Sequence, residues 1–524
     1  MKRRHFLQYA GAAAAWSGFK YNGFALNPIT HAPMFKSLAG LNNEHNRVLV
    51  LIQLTGGNDG LNTLIPMDQY DKLATVRQNI LIPESKVLSL DGTSLNTVHP
   101  AFSQVKNLYN EGKVSIVQNV GYPNQDYSHF RSTDIWMSGS DANEYLGTGW
   151  AGRYLQNLHP DFPDGYPNPE HPDPLAVQIG SVVSLALMGN RLPMGVAISD
   201  PQYYYQFVND QTEPTPNTPY GQELSFLRLV SQQAQTYYAS IKNAADLGKN
   251  LSTLYPVLGE NNLADQLRIV AQLISGGLRT PIYVVSLDGF DTHSAQVNEV
   301  EGTIYGKHAD LLRKVSAAIG AFQDDLQLLD IDDRVAGMTF SEFGRTIASN
   351  GSIGTDHGAG APMFVFGKNV IPGIIGNNPM IPDEVGPSED IPMEHDFRSV
   401  YASALKDWFG LPDPETALGH DFPILPIFKA PSVGIEQPEH SKIAIQNDPN
   451  PFVEETTFTF TSDGGAVLIQ ITDINGKVRH TVLEGNYPAG KHSVTYRKKD
   501  LPAGTYFYRI RVNGAVISKK LLVI

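Results

Sequence analysis

Three acidic residues, Asp59, Asp291 and Glu342, each follow a short apolar segment that is typical of a β-strand. If those strands are parallel neighbours, their carboxylates gather at one edge of the sheet, where open α/β folds place their ligands. Two histidines, His293 and His357, belong to the same segments. Carboxylate oxygens and imidazole nitrogens together suit a divalent metal ion. The pattern therefore predicts a metal site shared by these side chains.

Oxygen and nitrogen must supply every ligand of such a metal, because the chain of 524 residues contains no cysteine. The same absence excludes disulfides and cysteine nucleophiles. Lysine and arginine total 39 against 53 aspartates and glutamates, a net charge of −14, and no basic stretch is interleaved with aromatic residues. Nucleic acid is therefore not expected as a partner. The length predicts two or more domains.

The elements that must position these side chains form an alternating pattern over residues 45–422. The clearest helix, at residues 308–330, has a continuous apolar face and lies between strands at 282–287 and 335–340. Strand–helix–strand order indicates a parallel sheet. We expect a three-layer α/β/α body with a mostly parallel sheet. Further strands are expected at 47–54, 113–120 and 362–367, and further helices at 214–249, 261–274 and 398–410.

Both ends of the chain differ from this body. Residues 1–30 carry Arg3 and Arg4 before a short, weakly apolar stretch, which resembles a twin-arginine export signal; a frayed basic terminus is the alternative. The stretch is too short and too weakly apolar for a stable membrane span, so we expect none in the mature chain. Residues 423–448 are rich in proline and polar residues, which is typical of a linker.

The tail, residues 449–524, alternates short strands with Asn-Gly turns and predicts an all-β, immunoglobulin-like sandwich. Its segments NPF, ITDINGK, LPAGTYFYRIRVNG and KKLLVI resemble the C-terminal sorting domain of type IX secretion cargo. That resemblance implies the export and type IX secretion machinery as partners. It also implies passage through the periplasm to the cell surface or medium. A generic immunoglobulin-like accessory module is the alternative.

The body resembles a family through its motifs GGNDGLN, HF, DTH, SEFGRT and DHG. They resemble those of the twin-arginine-exported bacterial family known as domain of unknown function 1501, which is remotely similar to the alkaline phosphatase and sulfatase superfamily. The resemblance implies an alkaline phosphatase-like fold and one or two divalent ions, which could be zinc, manganese, magnesium or calcium. It also implies hydrolysis of phosphate or sulfate esters.

The superfamily's motifs can be matched to this chain residue by residue. Its first-strand aspartate falls on Asp59, and its aspartate–histidine pair falls on Asp291 and His293 with a shortened spacing. Its next aspartate falls on Glu342, where Phe343 replaces the histidine that should follow. Phenylalanine cannot ligate a metal, so the second of the two implied metal sites is weakened.

The third histidine of the superfamily falls on His357, which like its counterpart precedes a strand. A competing register matches TDHG at residues 355–358 to the aspartate–histidine signature, although no strand directly precedes it. The preferred register implies one intact site and one weakened site. The intact site comprises Asp291, His293 and His357, and the weakened one comprises Asp59, Glu342 and Asp356.

Ser128 is the candidate nucleophile that the resemblance implies, because it follows a strand and leads into a helix; an ordinary N-cap is the alternative. The next residue, His129, could be a ligand, a base or a structural side chain. Arg153 and Arg345 could clamp anionic oxygens or serve as buried ion-pair partners. His395 resembles a superfamily ligand, although an N-cap role for Asp396 also accounts for that segment.

Together these features predict an exported metal-dependent hydrolase that acts on an anionic small-molecule or glycan ester. The competing hypothesis is a non-catalytic surface protein of the same fold that binds a metal or an anionic glycan. A serine hydrolase with a Ser-His-Asp triad is disfavoured, because the chain lacks a G-x-S-x-G segment.

Overall fold

The computed structural model divides the chain into two compact units, Met1–Ala430 and Pro431–Ile524. No helix among the described residues is long and apolar enough to cross a membrane. Most of the export signal, much of the helix expected at 214–249, most of the linker and both Asn-Gly turns of the tail lie outside the described residues. The structure describes residues 20–21, 24–25, 46–190, 192–199, 218, 236–429, 445–473, 477–499, 501–512 and 515–524.

A nine-stranded sheet forms the centre of the first unit. Every described pairing in it is parallel except those made by Ala361–Phe366, which runs antiparallel to both neighbours. The predicted mostly parallel sheet is therefore confirmed. The strand order is Gly373–Ile375, Val114–Gly121, Ala361–Phe366, Val335–Phe340, Val48–Thr55, Ile282–Asp288, Ala176–Ile179 and Val196–Ile198, with His395–Asp396 also paired to Val114–Gly121.

Strand Val48–Thr55 lies between Ile282–Asp288 and Val335–Phe340, the two strands of the predicted strand–helix–strand unit. In register, Leu54 pairs with Leu287 and Gln53 pairs with Phe340. Because the three strands are parallel and in step, they end side by side. The loops that follow them, with the three acidic residues, therefore leave from one edge of the sheet.

Alternate residues of Val48–Thr55 enter two separate hydrophobic clusters, as a pleated strand buried on both faces requires. Its even-numbered residues pack in the cluster that includes helix Lys307–Leu328. Leu49 and Leu51 pack in the opposite cluster with helix Phe397–Ser403. This arrangement confirms the three-layer α/β/α body.

At each end, the predicted strands of the body differ from the observed strands by no more than one residue. The ends of the helices predicted at 261–274 and 308–330 differ from the observed ends by no more than two residues. The helix expected at 398–410 is observed as Phe397–Ser403 followed by a π-helical turn, Ala404–Trp408. The other helices are Gly60–Thr63, Tyr70–Val76, Ser103–Asn110, His129–Ser138, Trp150–Leu158, Tyr238–Leu247, Asn262–Ser275 and Glu415–Leu418, with 3₁₀ turns at Met67–Gln69, Pro100–Phe102, Leu185–Leu187 and Asp332–Arg334. Short strands outside the main sheet are Lys20–Tyr21, Phe24–Ala25, Leu64–Pro66, Leu88–Ser89, Asn96–Val98, Gly344–Arg345 and His357–Gly358.

The second unit is entirely β in its described part, as predicted. Five antiparallel strands are linked by hydrogen bonds into one sheet, and their side chains, including Phe458, Ile469 and Ile510, form a hydrophobic core of their own. Where the alternation predicts short strands, Glu455–Thr472 is a single long strand. The five strands are Ile445–Asp448, Glu455–Thr472, Val478–Arg497, Gly504–Val512 and Ala515–Val523.

Candidate metal centre

Two glycines follow strand Val48–Thr55. They allow the loop that they begin to pack closely against the loops that contain Asp291 and Phe343. Gly56 and Gly57 have φ angles of +122° and +85°, which side-chain-bearing residues rarely adopt. A Cβ atom on Gly56 would lie 2.3 Å from the backbone nitrogen of Asp291, and one on Gly57 would lie 2.5 Å from the ring of Phe343. The GGNDG turn is therefore a packing requirement of the site.

The Asp291 carboxylate lies within 4 Å of Arg345 and of three histidine rings. Its Oδ1 atom accepts a hydrogen bond from Arg345 at 2.8 Å and lies 2.6 Å from Nδ1 of His293. Burial acts to raise the pKa of this carboxyl group, but the hydrogen bond and charge of Arg345, helped by His293 and His129, outweigh it and hold the pKa below its usual value. Asp291 is thus an anion, and its side chain remains 47% exposed.

His357 presents a bare nitrogen to this carboxylate. Its Nδ1 atom lies 2.7 Å from the carbonyl oxygen of Tyr127, and since a carbonyl only accepts, Nδ1 carries the proton. Among the residues that the structure describes, the Nε2 atom has no hydrogen-bond partner; it is buried, 3.5 Å from Asp291 Oδ1. Burial lowers the pKa of His357, the Tyr127 hydrogen bond opposes this, and the charge of Arg345 lowers it further. The ring is therefore neutral and suited to ligate a metal.

His129, at the start of helix His129–Ser138, completes the cluster from a third direction. Its Nδ1 atom lies 2.8 Å from Oε1 of Glu342, and its Nε2 atom lies 3.6 Å from Asp291 Oδ2. An ionised carboxylate only accepts, so Nδ1 donates and Nε2 faces Asp291. Sequence reasoning left His129 undecided between a ligand, a base and a structural residue. Its place directly after a strand and at a helix start is the signal that could have favoured a site role.

His129, Asp291 and His357 are together able to hold a metal ion. Each offers one ligand atom, and these atoms lie within 4.8 Å of one another. Ligands at about 2.0–2.2 Å in a tetrahedral zinc site lie roughly 3.3 Å apart. Nε2 of His357 lies 3.5 Å from Oδ1 of Asp291, and Nε2 of His129 lies 3.6 Å from Oδ2 of the same carboxylate, which are similar separations. Both histidine Nδ1 atoms are held by oxygen acceptors, as is usual for metal-binding histidines. The residues therefore fit one divalent ion of the zinc type.

His293 and Asp356 lie at the rim of the cluster. Nδ1 of His293 lies 2.6 Å from Oδ1 of Asp291, and its Nε2 atom is 4.0 Å from Asp356 Oδ1. The rings of His293 and His357 are in edge contact, with centroids 4.6 Å apart. Asp356 also accepts a hydrogen bond from Asn350. Both predicted ligands are thus close to the group of three and outside it.

Glu342 and Phe343 occupy the floor of the site. Glu342 Oε1 accepts from His129 and from the backbone N–H of Gly56 at 2.8 Å, and the residue is 1% exposed. The Phe343 ring packs against His129 and His357 at centroid distances of 4.9 and 4.4 Å. The structure places Glu342 behind His129 rather than among the three grouped ligands.

Asp59 was predicted to be a metal ligand, and the structure gives it other partners. Its carboxylate accepts two hydrogen bonds from Arg77 and one from Gln296, and both Asp59 and Arg77 are buried. Burial acts to raise the pKa of Asp59, but Arg77, then His308 and Gln296, bring it below its usual value. Since Arg77 already neutralises this carboxylate, Asp59 is a member of a buried ion pair and not of the cluster.

The two arginines considered as anion clamps or as buried ion-pair partners are both bound to the protein, and Arg345 is the ion-pair partner of Asp291. Every donor nitrogen of Arg345 is bonded: it donates to backbone carbonyls of Gly56, Gly57, Phe290 and Thr355 and to Asp291, and its side chain is fully buried. Arg153 donates to the carbonyls of Ser138, Thr148 and Ala417. Arg345 thus ties the loops of the site together, and Arg153 ties helices together elsewhere in the body.

Ser128 is exposed at the N-cap position of helix His129–Ser138, and its side chain makes no capping hydrogen bond. The capping role considered from the sequence is therefore not observed. Ser128 directly precedes His129 in the chain. Asp396, whose strand pairs with the end of Val114–Gly121, accepts the N–H of Arg398 as the cap of the following helix. His395 precedes it, with Nε2 buried and without a hydrogen-bond partner among the described residues.

These features define an α/β protein with a histidine–carboxylate cluster at the carboxyl edge of its sheet. Residues 46–415, well over half of the chain, match the family model described as protein of unknown function (DUF1501), and the chain belongs to that family. Residues 449–524 match the model described as a secretion system C-terminal sorting domain. A domain of this kind implies export to the cell surface or beyond. No curated protein sequence matches the chain.

Solved structures with a similar fold include sulfatases and members of the alkaline phosphatase superfamily. The PsFucS1 sulfatase from Pseudoalteromonas sp. is 10% identical, with 90% of this chain and 88% of that chain covered and a TM-score of 0.34. A protein in the alkaline phosphatase superfamily from Vibrio parahaemolyticus is 10% identical, with 88% and 85% covered and a TM-score of 0.32. The likeness at this level concerns the fold and does not define an activity.

Proposed function

We propose that this protein is an exported metal-dependent hydrolase of phosphate or sulfate esters. The observation that carries the proposal is the group formed by His129, Asp291 and His357, whose donor atoms and tautomers suit a divalent ion. The group is open to solvent, since Asp291 and His129 are 47% and 34% exposed. An ester in solution can therefore reach it.

A bound divalent ion would supply Lewis acidity at an ester oxygen. The residues of the chain supply the rest. Asp291 is kept anionic by Arg345, and His357 is kept neutral with Nε2 facing the site. Ser128 offers an exposed hydroxyl at a helix N-terminus, where backbone N–H groups favour negative charge. It is the candidate nucleophile: its oxygen would bond to phosphorus or sulfur as the ester bond breaks, and water would later release the acid.

A second candidate function is metal or glycan binding without turnover. The observation that favours it is the loss of the anion clamps: the donors of Arg345 and Arg153 are directed to backbone carbonyls and Asp291, and Asp59 is paired with Arg77. A cluster that holds an ion but cannot orient an anion would bind and not hydrolyse. Activity measurements separate these two functions.

The decisive experiment measures metal content and hydrolysis on the same preparations. Zinc, manganese, magnesium and calcium are quantified by elemental analysis in chelator-free wild type and in His357→Ala. Both proteins are then assayed with p-nitrophenyl phosphate, bis(p-nitrophenyl) phosphate and p-nitrophenyl sulfate. One equivalent of metal and turnover, both lost in the variant, are expected. Bound metal without turnover supports the binding function, and no metal even after addition rejects both the hydrolase and metal binding.

A further inference from the structure

Glu342 is a buried residue, and both oxygens of its carboxylate have polar neighbours. Oε1 accepts one hydrogen bond from the Gly56 N–H and one from His129 Nδ1, both at 2.8 Å. Oε2 lies 3.4 Å from the Ser341 hydroxyl. The backbone carbonyl of Glu342 also accepts from Ser132, which lies on the same helix as His129. Glu342 is therefore held on both sides, and its anion points at one imidazole nitrogen.

The position of that nitrogen separates Glu342 from a metal ligand. Nδ1 and Nε2 lie on different sides of the imidazole ring, and it is Nε2 that faces Asp291. An ion bound at Nε2 is thus separated from Glu342 by the ring. For Glu342 to reach the ion it would have to leave both Gly56 and His129, and a buried carboxylate without partners is costly.

Building on the proposed metal centre, we propose that Glu342 is a positioning residue that acts through His129. Its carboxylate keeps the proton of His129 on Nδ1, aims Nε2 at Asp291 and His357, and makes the imidazole a better donor. Carboxylate–histidine pairs of this kind orient metal-binding histidines, and their loss weakens metal affinity by about 10–100-fold. The glycine turn contributes directly, since the Gly56 N–H fixes the same carboxylate oxygen.

The test is a double-mutant cycle on the affinity for zinc. Zn²⁺ dissociation constants are measured by competition with a chromogenic chelator for wild type, His129→Ala, Glu342→Ala and the double variant. We expect Glu342→Ala to weaken binding by about 10–100-fold in the wild-type background and to have no further effect once His129 is removed. Glu342→Gln should lose less, because its amide oxygen can still accept from Nδ1 and from Gly56.

A second readout and a matched control separate positioning from general damage. The visible absorption of bound Co²⁺ should change in the same way in Glu342→Ala and His129→Ala, since both remove one correctly oriented ligand. Asp325→Asn is the control, because Asp325 is an equally buried carboxylate that accepts from Asn250, Leu251 and Ser252. It should lower stability and leave the affinity for zinc unchanged.

The outcomes are distinguishable. If wild type binds zinc and Glu342→Ala weakens zinc binding equally with and without His129, Glu342 does not act through His129. That result overturns the role of Glu342 and leaves the metal centre standing. An unchanged affinity in Glu342→Ala does the same. Wild type that binds no zinc rejects the metal centre, and the role of Glu342 with it.

Discussion

The Nδ1 atom of His129 lies 2.8 Å from Oε1 of Glu342, although 213 positions separate the two residues in the chain. The contact follows from the strand order. Each residue comes after a strand that neighbours Ala361–Phe366, and His357 comes just before that antiparallel strand. An antiparallel strand begins where its parallel neighbours end. One reversed strand therefore brings His129, Glu342 and His357 to the same edge.

Binding of a metal at this edge should stabilise the fold. An ion that binds only the folded chain adds about 3 kcal/mol of stability at a concentration 100 times its dissociation constant. We expect Zn²⁺ to raise the melting temperature of wild type and not that of His357→Ala, as measured by differential scanning fluorimetry. His420→Ala, which removes an exposed histidine, is the control and should behave as wild type. Equal shifts in all three proteins would place the zinc elsewhere.

The role of Ser128 can be separated from metal binding. If its hydroxyl is the nucleophile, Ser128→Ala should reduce the rate constant for ester hydrolysis on the order of 100-fold or more and leave the zinc content unchanged. Ser294→Ala is a matched control, since Ser294 is an exposed serine beside His293. Hydrolysis that survives in Ser128→Ala would mean that water or another group attacks the ester.

The glycine turn should be sensitive to a single methyl group. Gly56→Ala would place a Cβ atom 2.3 Å from a backbone nitrogen, whereas Gly92, with a similar positive φ, has no heavy atom within 4 Å of that position. The left-handed conformation alone costs about 1–2 kcal/mol. We expect Gly92→Ala to lose that amount in urea unfolding. Gly56→Ala should lose clearly more and should also weaken zinc binding, and equal losses would contradict the steric argument.

Two buried histidines predict how stability depends on pH. Burial, outweighing the raising effect of Asp59, lowers the pKa of His308 to about 4, and burial with the charge of His308 lowers that of His99 to about 3. Below pH 6.5, the ordinary value, the unfolded chain takes up protons that the folded chain does not. The free energy of unfolding should therefore fall as pH drops from 6.5 towards 4, by roughly 1 kcal/mol per pH unit and histidine.

The measurement is urea unfolding between pH 7.5 and 4.5 for wild type and His308→Gln. Asp59 contributes little to the slope in this range, because a carboxylate with a lowered pKa loses its stabilising effect mainly as pH falls through its unfolded value of 3.8 and below. The variant should therefore show a shallower dependence on pH. An identical slope in the two proteins would mean that His308 is not the group responsible.

Much of the architecture is determined by the sequence, because hydrophobic patterning is a local property. Apolar runs located five of the nine strands of the main sheet to within one residue, and the acidic residues after three of them indicated which edge of the sheet carries the candidate site. Asp291 and His357, two members of the observed cluster, were predicted as metal ligands from these segments.

The choice of partner for each side chain was decided only by the tertiary structure. Asp59 follows a strand as Asp291 does, but Arg77 is packed beside it and neutralises it. Glu342 faces the ring of His129, which removes it from the grouped ligands and brings His129 in. Such pairings depend on contacts between residues far apart in the chain. Hydrophobic periodicity identifies where a strand ends, and only packing decides which charge or imidazole lies next to it.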